Sequence, residues 1–294
     1  MKSPLSLAHR VCAVVVSYNP HLTFLANMAA LSPQVNHVVV VDNGSRGEAE
    51  EYLRTLEARP GYTVIRNHQN LGIAVALNLG VKYALEEGFD WIATFDQDSQ
   101  VSDGFIVLML ETYEQAPHPE AIAIIAPNCV DRDSGCCLKA LRAGNGKVLT
   151  AMTSGSMMPS RAIQMLGPFD ASLFMDYVDI EFCLRARHKG MLIFQSPAIL
   201  SHALGRITHH RILGIVCKTT NHSAARRYYI TRNRLRLLIE YAADWPWAWR
   251  ESRAILFETA KVALIEDHKR EKFCSMIWGA VDALRGKVGK QIEL

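Results

Sequence analysis

Residues 11–42 read VCAVVVSYNPHLTFLANMAALSPQVNHVVVVD, and this stretch decides the fold class. Val11–Ser17 is an unbroken apolar run rich in β-branched residues, the pattern of a strand buried on both faces. Asn19-Pro20 breaks it, Leu22–Leu31 reads as a helix, and His37–Asp42 is a second buried strand closed by Asn43-Gly44. The alternation continues outward. Glu48–Ala58 reads as a helix, Tyr62–Arg66 as a strand, Gly72–Glu87 as a helix and Trp91–Phe95 as a strand. In the third helix Ile73, Ala76, Leu77, Val81, Ala84 and Leu85 follow the 3.6-residue period. Alternating strands and helices imply an α/β fold with a mostly parallel sheet covered on both faces. Ligands of such sheets bind beyond the carboxyl ends of the strands. Ser17-Tyr18-Asn19, Asp42-Asn43 and Asp96–Asp98 all fall at such ends, so they are expected to converge.

Downstream, Asp103–Glu114 reads as a helix and Ala121–Pro127 as a strand. Asp131–Gly146, rich in Gly, Cys and charge, reads as a hairpin or a loop, either a lid or an ordinary surface segment. Leu149–Met158 is expected as a strand and Arg161–Leu166 and Ile180–Lys189 as helices. Met191–Phe194 is expected as a short strand followed by a loop. From His222 the pattern changes to long helices, so the expected domains are 1–221 and a C-terminal amphipathic helical region, 222–294. The arginines of Arg226–Arg236 read as the solvated face of a surface helix, or as a source of one contact to a phosphate.

The 294 residues are 49% hydrophobic and 21% charged, a globular composition able to bury a large core. A net charge of +3 makes no case for nucleic acid as a partner. The seven cysteines show no CxxC spacing, which argues against structural zinc and fits free thiols in a reducing cytosol. Val11–Val16 is too short for a signal-peptide core, and no apolar run reaches the ~18 residues that a spanning helix requires. The expected localisation is cytoplasmic. Trp245-Pro-Trp-Ala-Trp249, and the amphipathic stretch carrying Phe273, Ile277, Ala280, Val281 and Leu284, leave two readings open. One is peripheral contact with the inner face of the cell membrane; the other is a packing surface within a homo-oligomer.

Asp96-Gln97-Asp98 ends the apolar run WIATF. Two carboxylates so placed can hold a hard divalent cation, although such pairs also occur as solvated loop residues. Asp176-Tyr-Val-Asp179-Ile-Glu181 supplies further carboxylates. Asp179 shares a helical face with Cys183 and is the candidate general base. Asp176 suits an N-cap and Glu181 an i,i+4 ion pair with Arg185, and both stay in competition with it. Asn70 and Gly72 precede a helix, where they cap it or face an anion. Gly155 permits either close approach of a ligand to the backbone or tight packing in a strand.

In this order, VVVSYNP, VVVVDNGS, NLGIAVALNLG, FDQDS, TSGSMM and FMDYVDIEFCLRA resemble the motifs of inverting family 2 glycosyltransferases, most of all bacterial rhamnosyltransferases. The resemblance spans residues 11–240 or so. It implies the GT-A fold, a Rossmann-like, mostly parallel sheet flanked by helices, with a C-terminal helical extension. It further implies transfer of L-rhamnose from dTDP-β-L-rhamnose to a hydroxyl of a lipid-linked saccharide or glycolipid acceptor. By the same resemblance Asp42 accepts a hydrogen bond from the donor pyrimidine and Ser17 and Asn19 line that pocket. Asn70, Gly72, Asp96 and Gln97 complete the nucleotide-sugar site. Asp98 and His202 would ligate Mg2+ or Mn2+, the imidazole favouring Mn2+. Asp179 would be the base, with Gly155, Asp176 and Glu181 on the acceptor side. A UDP-hexose or UDP-galactofuranose donor is the enzymatic alternative, and a catalytically silent nucleotide-binding scaffold is the alternative of another class.

Overall fold

β1 (Val11–Ser17) is buried on both faces, as its unbroken apolar run requires, and pairs in parallel with β2 (His37–Asp42) and β4 (Trp91–Asp96). In the computed structural model, which describes residues 9–132, 135–137, 142–144, 146–202, 208–212 and 215–293, the chain divides into two compact units. One is Met1–Ala171 with Val178–Ala203; the other is Ser172–Tyr177 with Leu204–Leu294.

The first unit is built on one mixed sheet. Its further strands are β3 (Tyr62–Arg66), β5 (Gln100–Val101), β6 (Ile122–Asp131), β7 (Arg142–Gly144), β8 (Lys147–Val148), β9 (Met157–Pro159) and β10 (Leu192–His202). The order is β3-β2-β1-β4-β9-β6-β10-β8-β7, with β5 paired to β10. β6 and β10 are parallel, while β9 runs antiparallel to both β4 and β6. The helices are α1 (Thr23–Leu31), α2 (Glu48–Glu57), α3 (Ile73–Glu86), α4 (Phe105–Glu114), α5 (Ser160–Leu166) and α6 (Val178–His188).

Strand alternation explains which layer each residue serves. Val11, Ala13 and Val15 join Val38, Val40, Ala93 and Phe95 in the core beneath α1, α2 and α4. Val14 faces the other way, against Gly80 of α3.

In the first unit, two expectations from the sequence need correction. Leu149–Met158 is a strand only at its end, β9. Side chains and turns capture the backbone before it: Ser156 Oγ donates to Met152 O at 2.5 Å and Ser156 N to Thr153 O at 3.1 Å. Such local bonds compete with a sheet ladder. His202 does not follow a loop but ends β10, which runs on through Pro197 by shifting register against β6 between Gln195 and Ile199. A proline inside a strand is tolerated at such an irregularity.

The second unit contains the hairpin β11 (Thr208–Ile212) and β12 (Ile215–Thr219), which apolar patterning did not reveal, and the helices α7 (Ala224–Glu240), α8 (Trp245–Leu264) and α9 (Lys269–Leu284). α7 starts at a Ser223 cap, whose hydroxyl accepts from Arg226 N at 3.2 Å. α7 and α9 approach closely because Gly279 has no Cβ; one placed there would lie 2.5 Å from Tyr228 O. The arginines of α7 expected on a solvated face are largely internal. Arg227, Arg232 and Arg234 are 4%, 1% and 7% exposed. Arg227 pairs with Glu266 and Arg234 with Glu251 and Glu258. Apolar spacing alone does not reveal that a helix buries cations against acids far along the chain.

The α3–β1 contact yields a prediction. An added Cβ at Gly80 would lie 2.3 Å from Val14 Cγ1, so Gly80→Ala overpacks the interface at a cost of about 1–3 kcal/mol. Higher helix propensity returns at most ~1 kcal/mol. The urea midpoint is expected to fall; an unchanged or higher midpoint would show that α3 sits further from the sheet.

Candidate active site

The acidic pair and His202 meet by way of strand pairing. β4 ends on Asp96, the chain turns through Gln97 and Asp98, and β5 pairs antiparallel with β10 so that Gln100 lies opposite Ser201. That register sets Ser99 beside His202, with Ser99 Oγ 2.9 Å from His202 Nδ1. Ser154 Oγ lies 2.7 Å from Ser99 Oγ and accepts from Asp96 N at 3.0 Å. His202 Nδ1 is 3.4 Å from Asp98 Oδ1. One ligand atom each from Asp96, Asp98 and His202 fits within a span of 4.8 Å. Hard carboxylate oxygens with one borderline nitrogen suit Mn2+ or Mg2+. The Ser99 hydroxyl orients the imidazole, as outer groups do in metal sites.

Arg132, a residue that no sequence motif marks, belongs to this cluster. Its Nη2 donates to Asp98 O at 2.5 Å and its backbone N to His202 O at 3.0 Å. Its Nε is buried and has no acceptor among the described residues. Position in the sequence, one residue past β6, was the only signal for it.

On the β1–β2 side, four donors converge on the Asp42 carboxylate. Ser17 Oγ reaches Oδ1 at 3.1 Å, the Ser45 hydroxyl also donates to Oδ1, and Gly44 N and Ser45 N reach Oδ2 at 3.1 and 2.9 Å. Asp42 is 3% exposed, so its carboxylate holds the Asn43–Ser45 turn from beneath. Asn19 joins that turn: its N donates to Ser45 Oγ at 2.7 Å and its Oδ1 accepts from Arg46 N at 3.0 Å. Gln97 ties the acidic loop to the end of β1, accepting from Tyr18 N at 2.7 Å and donating to Tyr18 O at 3.2 Å. Asn70 Oδ1 accepts from Gly72 N at 2.9 Å, and Gly72, at φ 88°, opens α3. Asn43, which the sequence marks only as the residue after Asp42, links the two loops by donating to Gly72 O at 3.2 Å.

Asp179 is the second residue of α6, with Oδ1 accepting from Ile180 N at 2.8 Å. It lines a small pocket of ≈ 10 Å³ with Thr94, Met152, Thr153, Phe169 and Cys183. Thr94 and Asp96 are two residues apart on β4 and therefore share a face of that strand. Burial pushes the Cys183 thiol up to about 12, which leaves it protonated and unsuited to act as a nucleophile.

The three acceptor-side expectations find other partners. Glu181, 4% exposed, accepts from Arg185 Nε and Nη2 at 2.8 Å each, the i,i+4 pair. Gly155 is buried at φ 78°, and a Cβ there would lie 2.7 Å from Pro127 Cγ and 2.9 Å from Leu200 Cδ2. Packing therefore requires this glycine. Asp176 belongs to the second unit, where Arg226 Nη2 donates to it at 3.0 Å. Phe174, Asp176 and Tyr177 all have left-handed φ, at 64°, 55° and 67°. The Asn233 amide holds them there, donating to Leu173 O, Met175 O and Asp176 O at 2.9, 2.7 and 2.9 Å.

Comparison with known proteins gives a consistent picture. The family model described as Glycosyl transferase family 2 matches residues 12–133. The dTDP-rhamnosyl transferase RfbF of Shigella flexneri is 33% identical over 296 aligned residues, 95% of this chain and 97% of its own. The galactofuranosyltransferase GlfT1 of Mycolicibacterium smegmatis is 31% identical over 126 residues, 42% of this chain and 40% of its own. Among solved structures, S. aureus TarS 1-349 superposes with a TM-score of 0.61 at 10% identity, covering 93% of this chain and 80% of TarS. Its complex with UDP-GlcNAc gives 0.62 at 11%, covering 95% and 81%. The TarS likeness establishes the fold, which is GT-A with C-terminal helices.

The cluster yields a prediction that needs no substrate. Asp98→Asn and His202→Ala are each expected to weaken Mn2+ binding, followed by the EPR signal of the free ion, by about tenfold or more. Their thermal midpoints should stay near the parent's. Unchanged Mn2+ affinity in both would remove the cluster as a metal site.

Proposed function

The chain belongs to glycosyltransferase family 2, and on that premise we propose that it transfers L-rhamnose from dTDP-β-L-rhamnose to a hydroxyl of a cell-surface glycan or glycolipid. The observation that carries this reading is the grouping of Asp96, Asp98 and His202 at the end of β4, with Asp179 lining a small pocket whose wall includes Thr94 of the same strand. The near full-length likeness to RfbF supports the choice of donor.

In this reading the nucleotide lies over the turns that Asp42, Asn19 and Asn70 shape, and its diphosphate reaches the acidic pair. Asp96, Asp98 and His202 would hold a divalent cation there, which neutralises charge on a departing diphosphate. Arg132 adds a fixed positive group beside Asp98. Asp179 takes the proton from the acceptor hydroxyl while that oxygen attacks the anomeric carbon from the face opposite the nucleotide. The new carbon–oxygen bond forms as the bond to the diphosphate breaks, dTDP leaves, and the β donor gives an α-L-rhamnoside. Cys183 takes no part, since its thiol stays protonated. Cytoplasmic residence and an acceptor carried on a lipid complete the proposal. The partial likeness to GlfT1 keeps a galactofuranose donor as the second reading.

Asp179→Asn is expected to lower kcat by about 10²–10⁴-fold while dTDP-rhamnose still raises the thermal midpoint in the presence of Mn2+. Retained turnover would take Asp179 out of the mechanism. Chelation by EDTA should abolish transfer, and Mn2+ or Mg2+ should restore it. A midpoint raised by UDP-galactofuranose and not by dTDP-rhamnose would transfer the assignment to the second donor.

A further inference from the structure

The outer face of α8 and α9 has no part in the chemistry above, and it is the most apolar exposed surface among the described residues of the second unit. Trp245, Trp249, Leu256, Phe257 and Leu264 recur at helical spacing along α8 and are 54–72% exposed. Trp278 of α9 adds a third indole at 59%. The rings of Trp245 and Trp249 stack with centroids 6.0 Å apart. Soluble proteins seldom leave a patch of this extent uncovered unless something docks there.

The charges of the same region say what docks. Its acids mostly turn inward. Glu251 and Glu258 pair with Arg234 at 3.2 and 3.0 Å, Glu266 with Lys272 at 3.0 Å, and Asp282 accepts from Tyr228 at 2.8 Å. The outward charges are mainly cationic: Arg250, Arg253, Lys269, Arg270 and Arg285 are exposed, against Asp267 and Glu271. Tryptophans among arginines, on a helix backed by neutralised ion pairs, match the boundary between headgroups and acyl chains of an anionic bilayer. No described helix is long and apolar enough to cross a membrane, so α8 would lie in the plane of the surface. A second copy fits less well, because a two-fold contact would bring the same arginines face to face.

We propose that the face formed by α8 and α9 is a docking surface for an anionic lipid bilayer. The assignment goes beyond the transferase reading and stands without it, since it concerns the second unit alone and is read without donor or acceptor.

The test uses the full chain with vesicles of phosphatidylcholine alone or mixed with phosphatidylglycerol. Co-sedimentation with the mixed vesicles, a blue shift of tryptophan emission on mixing, and release at high salt are the expected results. The variant Trp249→Ser/Phe257→Ser, and separately Arg250→Glu/Arg253→Glu, should each lower the partition coefficient by about tenfold or more. All four positions are exposed, so equal thermal midpoints will verify that the variants fold. Absence of binding to mixed vesicles overturns the proposal. So does equal binding by the variants, or a dimer in sedimentation velocity that Trp249→Ser/Phe257→Ser dissolves while vesicle binding is absent.

Discussion

Backbone hydrogen bonds pair β1 with β2 on one side and with β4 on the other, and the register sets Ser17 opposite Asp42 and Val16 opposite Asp96. Three parallel strands buried on both faces leave little room for polar side chains along their length; Thr94 is tolerated because its hydroxyl donates to Thr153 O. Most of their polar groups appear where the strands stop, and Asp42 and Asp96 share that edge. Asp42 closes a turn, Gln97 stitches the next loop to Tyr18, and Asp98 extends past the edge to His202. The site is thus an arrangement of loop ends held by main-chain pairing, and its precision depends on the sheet beneath it.

Much of that edge could be read from the letters, because buried parallel strands write themselves as unbroken apolar runs and loops as Asn, Gly and Asp. The acidic pair was legible for the same reason: it interrupts such a run. Less legible was anything settled by pairing between distant segments. β5 has two residues and exists only because β10 lies beside it. The approach of Ser99, Ser154 and His202 joins three separate stretches of chain, and no local pattern announces it. Arg132 looked like one charge in a mixed loop. A sequence also names the Asp42 carboxylate without counting the four donors that surround it.

The second unit shows where local patterns mislead most. A helix with many arginines was expected to face water, yet three of them lie inside. Burial disfavours the charge of Glu266, and bonds from Thr219 and Lys272 together with the Arg227 charge more than offset it, so its carboxyl is held below the usual range. Removing one member of such a set leaves another charge uncompensated, which is more damaging than the pair itself is favourable. These helices therefore hold together by matched charge as well as by apolar contact, and Trp245, Trp249 and Phe257 of α8 are left exposed.

The left-handed segment that Asn233 grips has a consequence for how the chain is made. Residues 172–177 leave the ribosome well before α7, and they also receive Arg232 and the turn at Gly289, whose N reaches Ser172 O at 2.6 Å. Strained conformers crowded into so short a segment are not stable by themselves, so this piece of backbone stays unset until Asn233 and Gly289 are in place. Long-range closure of that kind is slow. A nascent chain would carry the strands β1 to β4 before it carried the finished lead into α6.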